Sequence, residues 1–209
     1  VGSRIRELGF EVHDCGNIAV PIPEPIGIKD TRARYAREIG EACEFLYQKS
    51  RDSILAGHLP LSLGGDHSLA AGSIAGTAAA LQKQNRALGL LWVDAHADMN
   101  TPESTPSGNV HGMPLAALLG SEPLELARIG GVTPKVAPEH TVLIGIRNLD
   151  TREKEIVRAS GVNVFTMTDI DRSGIASVVD RALALADGLA AEHLEIATGH
   201  PDALADRIR

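Results

Sequence analysis

Residues 91–100 read Leu-Trp-Val-Asp-Ala-His-Ala-Asp-Met-Asn, an apolar run that opens into Asp94, His96 and Asp98 at every second position. In extended backbone, side chains at i, i+2 and i+4 share a face, so this segment can deliver two carboxylates and an imidazole to one point at a strand's end. Oxygen and imidazole donors without thiolate suit Mn²⁺, Fe²⁺, Co²⁺ or Zn²⁺. A carboxylate can also bridge two ions, which makes a two-metal hydrolytic centre the first hypothesis. The plainer alternative is that Asp and His after a strand cap a turn or the next helix. A second segment favours the metal, because Leu59-Pro-Leu-Ser-Leu63 empties into Gly64-Gly-Asp-His-Ser68. Two glycines permit a tight turn with backbone close to a ligand, and Asp66 or Ser68 can cap the helix that residues 69–81 suggest. His67 is then presented at a strand-to-helix junction, the place where ligands bind in open α/β sheets. The candidate metal ligands are therefore His67, Asp94, His96 and Asp98.

A frame that can hold these groups needs strands ending at a common edge. The 209 residues suffice for one large domain with a full core, and 44% hydrophobic with 22% charged residues is ordinary for a soluble globular protein. An aromatic content of 3% argues against base-stacking platforms, and a net charge of −7 opposes nucleic-acid binding while mildly favouring cationic small molecules. Cys15 and Cys43 form no metal or redox spacing and read as reduced thiols of a cytoplasmic protein. The sequence contains neither an apolar run long enough to span a membrane nor a secretory signal, so no membrane partner is expected.

The order of segments alternates helix and strand. A helix from Val1 to about Leu8 is ended by Gly9, and Phe10 to Asp14 reads as a short strand. Pro21, Pro23 and Pro25 mark a loop, after which Asp30 or Thr31 is expected to cap a long helix to about Ala56. Strand 59–63, helix 68–84, strand 88–93 and a helix from about Met113 to Gly120 follow, and 123–138 reads as irregular. Strand 141–146, helix 151–160 ended by Gly161, strand 162–166 and helix 174–190 complete the pattern. Strands separated by helices imply a parallel sheet covered on both faces, in a single domain spanning 1–209 with no internal repeat.

With Gly64-Gly-Asp-His-Ser68 and Asp94-Ala-His-Ala-Asp98 in place, the chain resembles the arginases of the ureohydrolase family from Gly2 to about Leu194. The loop Asn100-Thr-Pro-Glu-Ser-Thr-Pro-Ser-Gly-Asn-Val-His-Gly-Met-Pro114 narrows the likeness from the wider superfamily, which includes agmatinases and formiminoglutamases, to arginase. The resemblance implies a three-layer α/β sandwich with a parallel, doubly wound sheet. It implies a reaction in which a hydroxide shared by two Mn²⁺ ions hydrolyses the guanidinium of L-arginine to L-ornithine and urea. By similarity His67, Asp94 and Asp98 hold one ion, and Asp94 bridges to the second, which also takes His96. Asp98 also passes a proton to the leaving amine, and His111 serves as a proton shuttle, since free imidazole titrates close to neutrality. Asn100, Thr105, Ser107 and Asn109 match the residues that hold the substrate's α-carboxylate, and Asp150 and Glu153 match those that meet its α-amino group. Taken as residues alone, the loop is also what an ordinary turn contains, and Asp150 and Glu153 also suit a helix cap and its first-turn acid. A trimer or hexamer is the assembly the resemblance implies. His13, His58, His140, His193 and His200 match no motif.

The likeness stops near the end of the chain. Family members carry a further strand, Asp-x-Asp-x-x-Asp-Pro, whose first two aspartates complete both metal sites. Aligned from His193-Leu194, this sequence places Ala197 and Gly199 there, with Asp202 on the third aspartate, so 195–209 departs from the pattern. The chain thus reads as an arginase truncated at both ends, with an incomplete sheet and a weakened second ion site. The alternatives are another ureohydrolase such as agmatinase, or a non-catalytic fragment that lacks the two aspartates.

Overall fold

Parallel strands survive only where both faces are covered, and the chain's most apolar segments meet that condition. The computed structural model describes residues 1–22, 27–186 and 194–198. Within these, β1 (Gly89–Val93), β2 (Thr141–Ile146), β3 (Asn163–Thr166) and β4 (Leu194–Thr198) form one parallel sheet in the order β3-β2-β1-β4. Every residue of β2 is buried, and so are the first four of β1. The chain steps outward from β1 to β2 to β3 and then returns to the other flank of β1, so the strand order reverses beside β1. Such a reversal opens a crevice at the carboxyl ends of the strands, where ligands bind. Val93 is in register with Ile144 on one side and Thr198 on the other, so the candidate residues that follow β1 and β2 emerge at one edge.

Alternation along β1 sorts its side chains to two cores. Leu90 and Trp92 pack with Ile74 and Leu81 of α3 (Leu69–Lys83), with Leu115 and Leu118 of α4 (Pro114–Leu118) and with Val157 of α6 (Thr151–Ser160). Leu91 faces the other way, with Val142 and Ile144, against Phe165 and against Val178, Ala182 and Ala186 of α8 (Ile175–Ala186). Helices on both faces of a parallel sheet are the α/β layering expected from the sequence. A second row of helices, α2 (Ala36–Leu55) and α5 (Leu124–Ala127), lies on the outside of α3. α2 and α3 approach closely because α3 offers Gly72 and Gly76 to them. A Cβ at Gly72 would stand 2.4 Å from the Cys43 carbonyl oxygen, and one at Gly76 would stand 2.5 Å from that of Tyr47. Gly72→Ala is therefore expected to destabilise the fold by about 1–3 kcal/mol despite alanine's better helix propensity. Urea denaturation checks this, and unchanged stability would contradict the close approach. Burial pushes the Cys43 thiol up to about 12, in keeping with an inert structural cysteine, while Cys15 is exposed.

Several expected elements differ. Neither Phe10 to Asp14 nor Leu59 to Leu63 forms a strand. A strand exists through hydrogen bonds to a neighbour, and no strand among the described residues pairs with either segment. Leu59, Leu61 and Leu63 are consequently 83%, 60% and 69% exposed. The long helix begins at Ala36 rather than Thr31, because Asp30 accepts from the Arg32 N–H in a local turn and Tyr35 takes a left-handed conformation (φ 59°). Residues 123–138 contain α5 and short 3₁₀ turns at Ile129–Gly131 and Pro138–His140. The short α7 (Met167–Ser173) was not expected, and a capping box between Thr166 and Asp169 starts it. The first helix, α1, covers Gly2–Glu7. The end of the last helix beyond Ala186, His193, His200, Gly199 and Asp202 lie outside the described residues. No helix among the described residues is long and apolar enough to cross a membrane.

Candidate functional site

The residues after β1 do not stay extended, which corrects the reason they were expected to converge. The Asp94 N–H still joins the ladder by donating to the Ile144 carbonyl oxygen at 3.1 Å, but Asp94 Oδ1 then accepts from the His96 N–H at 3.1 Å and the chain bends. Ala97 and Met99 are buried and anchor the bend in the core. Asp98 adopts a left-handed conformation (φ 51°), and its carbonyl oxygen accepts from Leu115 and Ala116 at the start of α4. A turn, rather than a strand face, therefore brings Asp94 and Asp98 to one point.

His67 reaches that point from the start of α3. Asp66 Oδ1 accepts from the Ser68 N–H at 2.8 Å, fixing the turn, and the His67 ring lies over Trp92 with centroids 4.3 Å apart. His67 Nδ1 stands 2.7 Å from Asp98 Oδ2 and 3.1 Å from Asp94 Oδ2. One donor atom from each of His67, Asp94 and Asp98 falls within 4.8 Å of the others, which is the spacing needed to surround a cation. A nitrogen and two carboxylate oxygens, nearly dry, also fit a borderline or hard divalent ion.

The electrostatics agree with an ion-seeking pocket. Burial opposes a charge on His67, yet its hydrogen bonds to Asp94 and Asp98 outweigh it and push the imidazole up to about 9. Burial likewise works against the Asp94 carboxylate, but His67 and the His96 N–H hold it below the usual value. Burial dominates at Asp98 and raises it in spite of His67. Without a cation between the carboxylates, a proton on His67 takes that place.

His96 stands outside this three-residue group. Its Nδ1 lies 3.3 Å from Asp94 Oδ1 and its Nε2 lies 3.3 Å from Asn148 Nδ2, and its side chain is 45% exposed. The two oxygens of Asp94 thus face two different imidazoles, the arrangement a bridging carboxylate requires. His111 lies apart, half exposed, with Nδ1 3.7 Å from Asp66 Oδ2.

The loop after Asp98 is organised so that its polar side chains spend their acceptors on the protein. Thr105 Oγ1 accepts from the Ser107 and Gly108 N–H groups, and Ser107 Oγ accepts from the Asn109 N–H. Asn109 Oδ1 accepts from the Arg34 guanidinium at 3.3 Å. What remains is the Thr105 and Ser107 hydroxyl hydrogens and the Asn109 amide hydrogens, a set of donors suited to an anion. Asn100 is oriented differently. Ser104 donates to its Oδ1 at 2.7 Å, and its Nδ2 donates to Asp150 Oδ2 at 2.9 Å.

Asp150 and Glu153 follow β2 at the same sheet edge. Asp150 Oδ1 caps α6 by accepting from the Glu153 N–H at 3.0 Å. Burial works against its charge, but that backbone bond together with the Asn100 amide and neighbouring N–H groups outweighs it and keeps its carboxyl below the usual range. Glu153 is buried, accepts from the Met99 N–H at 3.1 Å and is pushed up to about 7, first by burial and then by the charges of Asp98 and Asp150. A first-turn helix acid has no need of such burial, so Glu153 ties α6 to the segment carrying Asp98.

Three contributors escaped the sequence reading. Ser104 and Asn148 sit inside stretches already singled out, where spacing alone did not separate them from turn residues. Arg34 is 75 positions from its partner Asn109 and carries no local signal.

A profile described as the Arginase family matches residues 3–194. An arginase from Brevibacillus brevis is 46% identical over 184 residues, covering 88% of this chain and 60% of that protein. The structure of an arginase from Bacillus caldovelox superposes with a TM-score of 0.86 at 39% identity, over 93% of this chain and 64% of that one. The structure of Entamoeba histolytica arginase in complex with L-ornithine superposes with a TM-score of 0.70 at 33% identity, over 86% of this chain and 58% of that one. The chain thus spans about 60% of the length of the curated relatives it matches.

Proposed function

Because the chain belongs to the arginase family, we propose that it forms the metal-bearing part of an enzyme that hydrolyses L-arginine to L-ornithine and urea. The observation that carries this reading is the meeting, at one sheet edge, of a metal-type donor cluster with a donor-only loop and a pair of acids. Two Mn²⁺ ions are the cofactor this reading takes, and when bound they would lower the pKa of water toward about 7 and aim it at the guanidinium carbon. His67, Asp94 and Asp98 would hold one ion, while Asp94 and His96 would contribute to the other. With the ions in place, Asp98 would accept a proton from the attacking water and return it to the leaving amine. His111, exposed and near Asp66, would exchange that proton with solvent.

At the far end of the ligand, Thr105, Ser107 and Asn109 donate to an α-carboxylate, and Asp150 with Glu153 accepts from an α-ammonium. Asn100 contributes mainly by holding Asp150. The L-ornithine bound by the Entamoeba relative carries this same head group. Cytoplasmic location and assembly as a trimer or hexamer belong to the same reading and rest on the family resemblance. The direct test compares urea release from L-arginine and agmatine in the presence of Mn²⁺. Agmatine lacks the carboxylate, so preference for it would overturn the assignment.

β4 favours a second reading, in which the chain binds metal without turnover. Its end, Ile196-Ala197-Thr198, lies beside Leu91-Trp92-Val93 and offers no carboxylate at the place where the family pattern has one. The two Mn²⁺ sites are therefore expected to be unequal, with the His67 site at least about tenfold tighter than the His96 site. Calorimetric titration checks this, and two equally tight ions would contradict it.

A further inference from the structure

Arg34 lies outside every motif of the sequence, yet the fold presses it against the loop that carries the Thr105, Ser107 and Asn109 donors. Because Tyr35 is left-handed, α2 starts late, and residues 31–34 run alongside that loop. The Arg34 N–H donates to the Gly108 carbonyl oxygen at 2.9 Å, and Arg34 and Asn109 form a parallel bridge. The backbones touch, since Gly108 has φ 74° and a Cβ there would stand 1.8 Å from the Thr31 carbonyl oxygen. Only glycine fits, so the contact is built in rather than incidental.

The charge of Arg34 has no evident purpose within the described residues. Its side chain is half buried, Nη1 donates to Asn109 Oδ1, and Nε is buried with no partner. No carboxylate among the described residues pairs with it. A half-buried guanidinium that keeps Nε from water and has no counter-ion favours an anion nearby. The donors in front of it are more open, since Ser107 is exposed and Thr105 and Asn109 are half-buried. Asn109 spends its oxygen on Arg34, which leaves its two N–H groups, like the hydroxyl hydrogens of Thr105 and Ser107, available to an anion.

We propose that Arg34 is a positioning residue for the carboxylate of an α-amino-acid ligand: it fixes the Asn109 amide with its donors available and supplies the positive charge behind them. The ligand class rests on the proposed function above. Arg34 makes the loop select carboxylate-bearing ligands over their decarboxylated counterparts.

The experiment titrates the Mn²⁺-loaded protein with L-ornithine and with 1,4-diaminobutane, which is ornithine without its carboxylate. Arg34→Met is expected to weaken L-ornithine about tenfold and leave 1,4-diaminobutane unchanged, while Arg34→Lys keeps most of the preference because the charge remains. Mn²⁺ affinity is expected to be the same in all three proteins. If Arg34→Met does not fold, Arg34→Gln supplies the comparison, since it keeps a donor for Asn109 and removes the charge. A fall of at least about threefold in selectivity is then required. An unchanged ratio of the two affinities in the neutral variants, with a wild type that prefers L-ornithine, overturns the role of Arg34 and leaves the proposed function standing. A wild type that does not prefer L-ornithine overturns both.

Discussion

Mn²⁺ affinity is expected to rise by two to three powers of ten between about pH 6 and pH 9. The ion takes a neutral imidazole, but the metal-free site holds a proton on His67 that is pushed up to about 9 by Asp94 and Asp98. Below that pH the cation must displace the proton, so apparent affinity gains about tenfold per pH unit and levels off near 9. The sign for folding is opposite. A histidine whose folded pKa is raised from 6.5 adds stability that is fully present below 6.5 and is lost as pH rises through about 9, provided no ion is bound. Asp98→Asn removes both a proposed ligand and the nearest partner of that proton. Its affinity is expected to fall by at least about a hundredfold, since even partners that only orient a ligand are worth 10–100-fold. Its pH profile shifts toward lower pH. Electron paramagnetic resonance of free Mn²⁺ across the pH range measures both effects, and a flat profile for the unsubstituted protein would show that His67 is not a ligand.

The donor types of the His67, Asp94 and Asp98 cluster were legible in the sequence because hard and borderline cations need oxygen and imidazole, and two short segments supplied both after apolar runs. The geometry was not. The spacing of Asp94, His96 and Asp98 invited an extended-strand account, whereas the structure gathers Asp94 and Asp98 by a bend with Asp98 left-handed, and leaves His96 half exposed beside Asn148. A local hydrogen bond from the His96 N–H to its neighbour Asp94 decided that outcome, and residue type at each position says nothing about which conformation wins. Arg34 was illegible for a different reason. Its role depends on a long-range contact between the entry to α2 and a glycine at 108, and no periodicity encodes it.

The elements with their own partners were legible almost residue by residue. Thr141–Ile146 and Thr151–Ser160 match their expected bounds, since a β-branched apolar run and an Asp150-to-Gly161 bracket are strong local signals. Segments 10–14 and 59–63 carry comparable strand patterns and do not pair. A period of two states which face a residue would occupy, but hydrogen bonding to a neighbour determines whether the strand forms.

A chimera that continues after Leu194 with the corresponding segment of a bacterial arginase is expected to release urea at least about a hundredfold faster than this chain with Ala197→Asp and Gly199→Asp together. Both proteins would carry the carboxylates that the family pattern has at positions 197 and 199. They differ in what holds them, because β4 pairs only with β1 among the described residues, and Leu59, Leu61 and Leu63 stand 83%, 60% and 69% exposed. The segment following Leu63 delivers His67, so slack there is felt at the metal cluster. Catalytic groups must be held to within roughly 0.5 Å, and a misplacement of about 1 Å can cost a hundredfold in rate. The relatives, of which this chain spans about 60%, contain further chain that can supply neighbours to those strand-like segments. Mn²⁺-dependent urea release from L-arginine, with bound ions counted in each protein, separates the possibilities. Equal rates in the chimera and the double substitution would show that missing ligands, and not missing scaffold, limit the reaction. A chimera that binds two ions and still leaves L-arginine untouched would refute the proposed reaction itself.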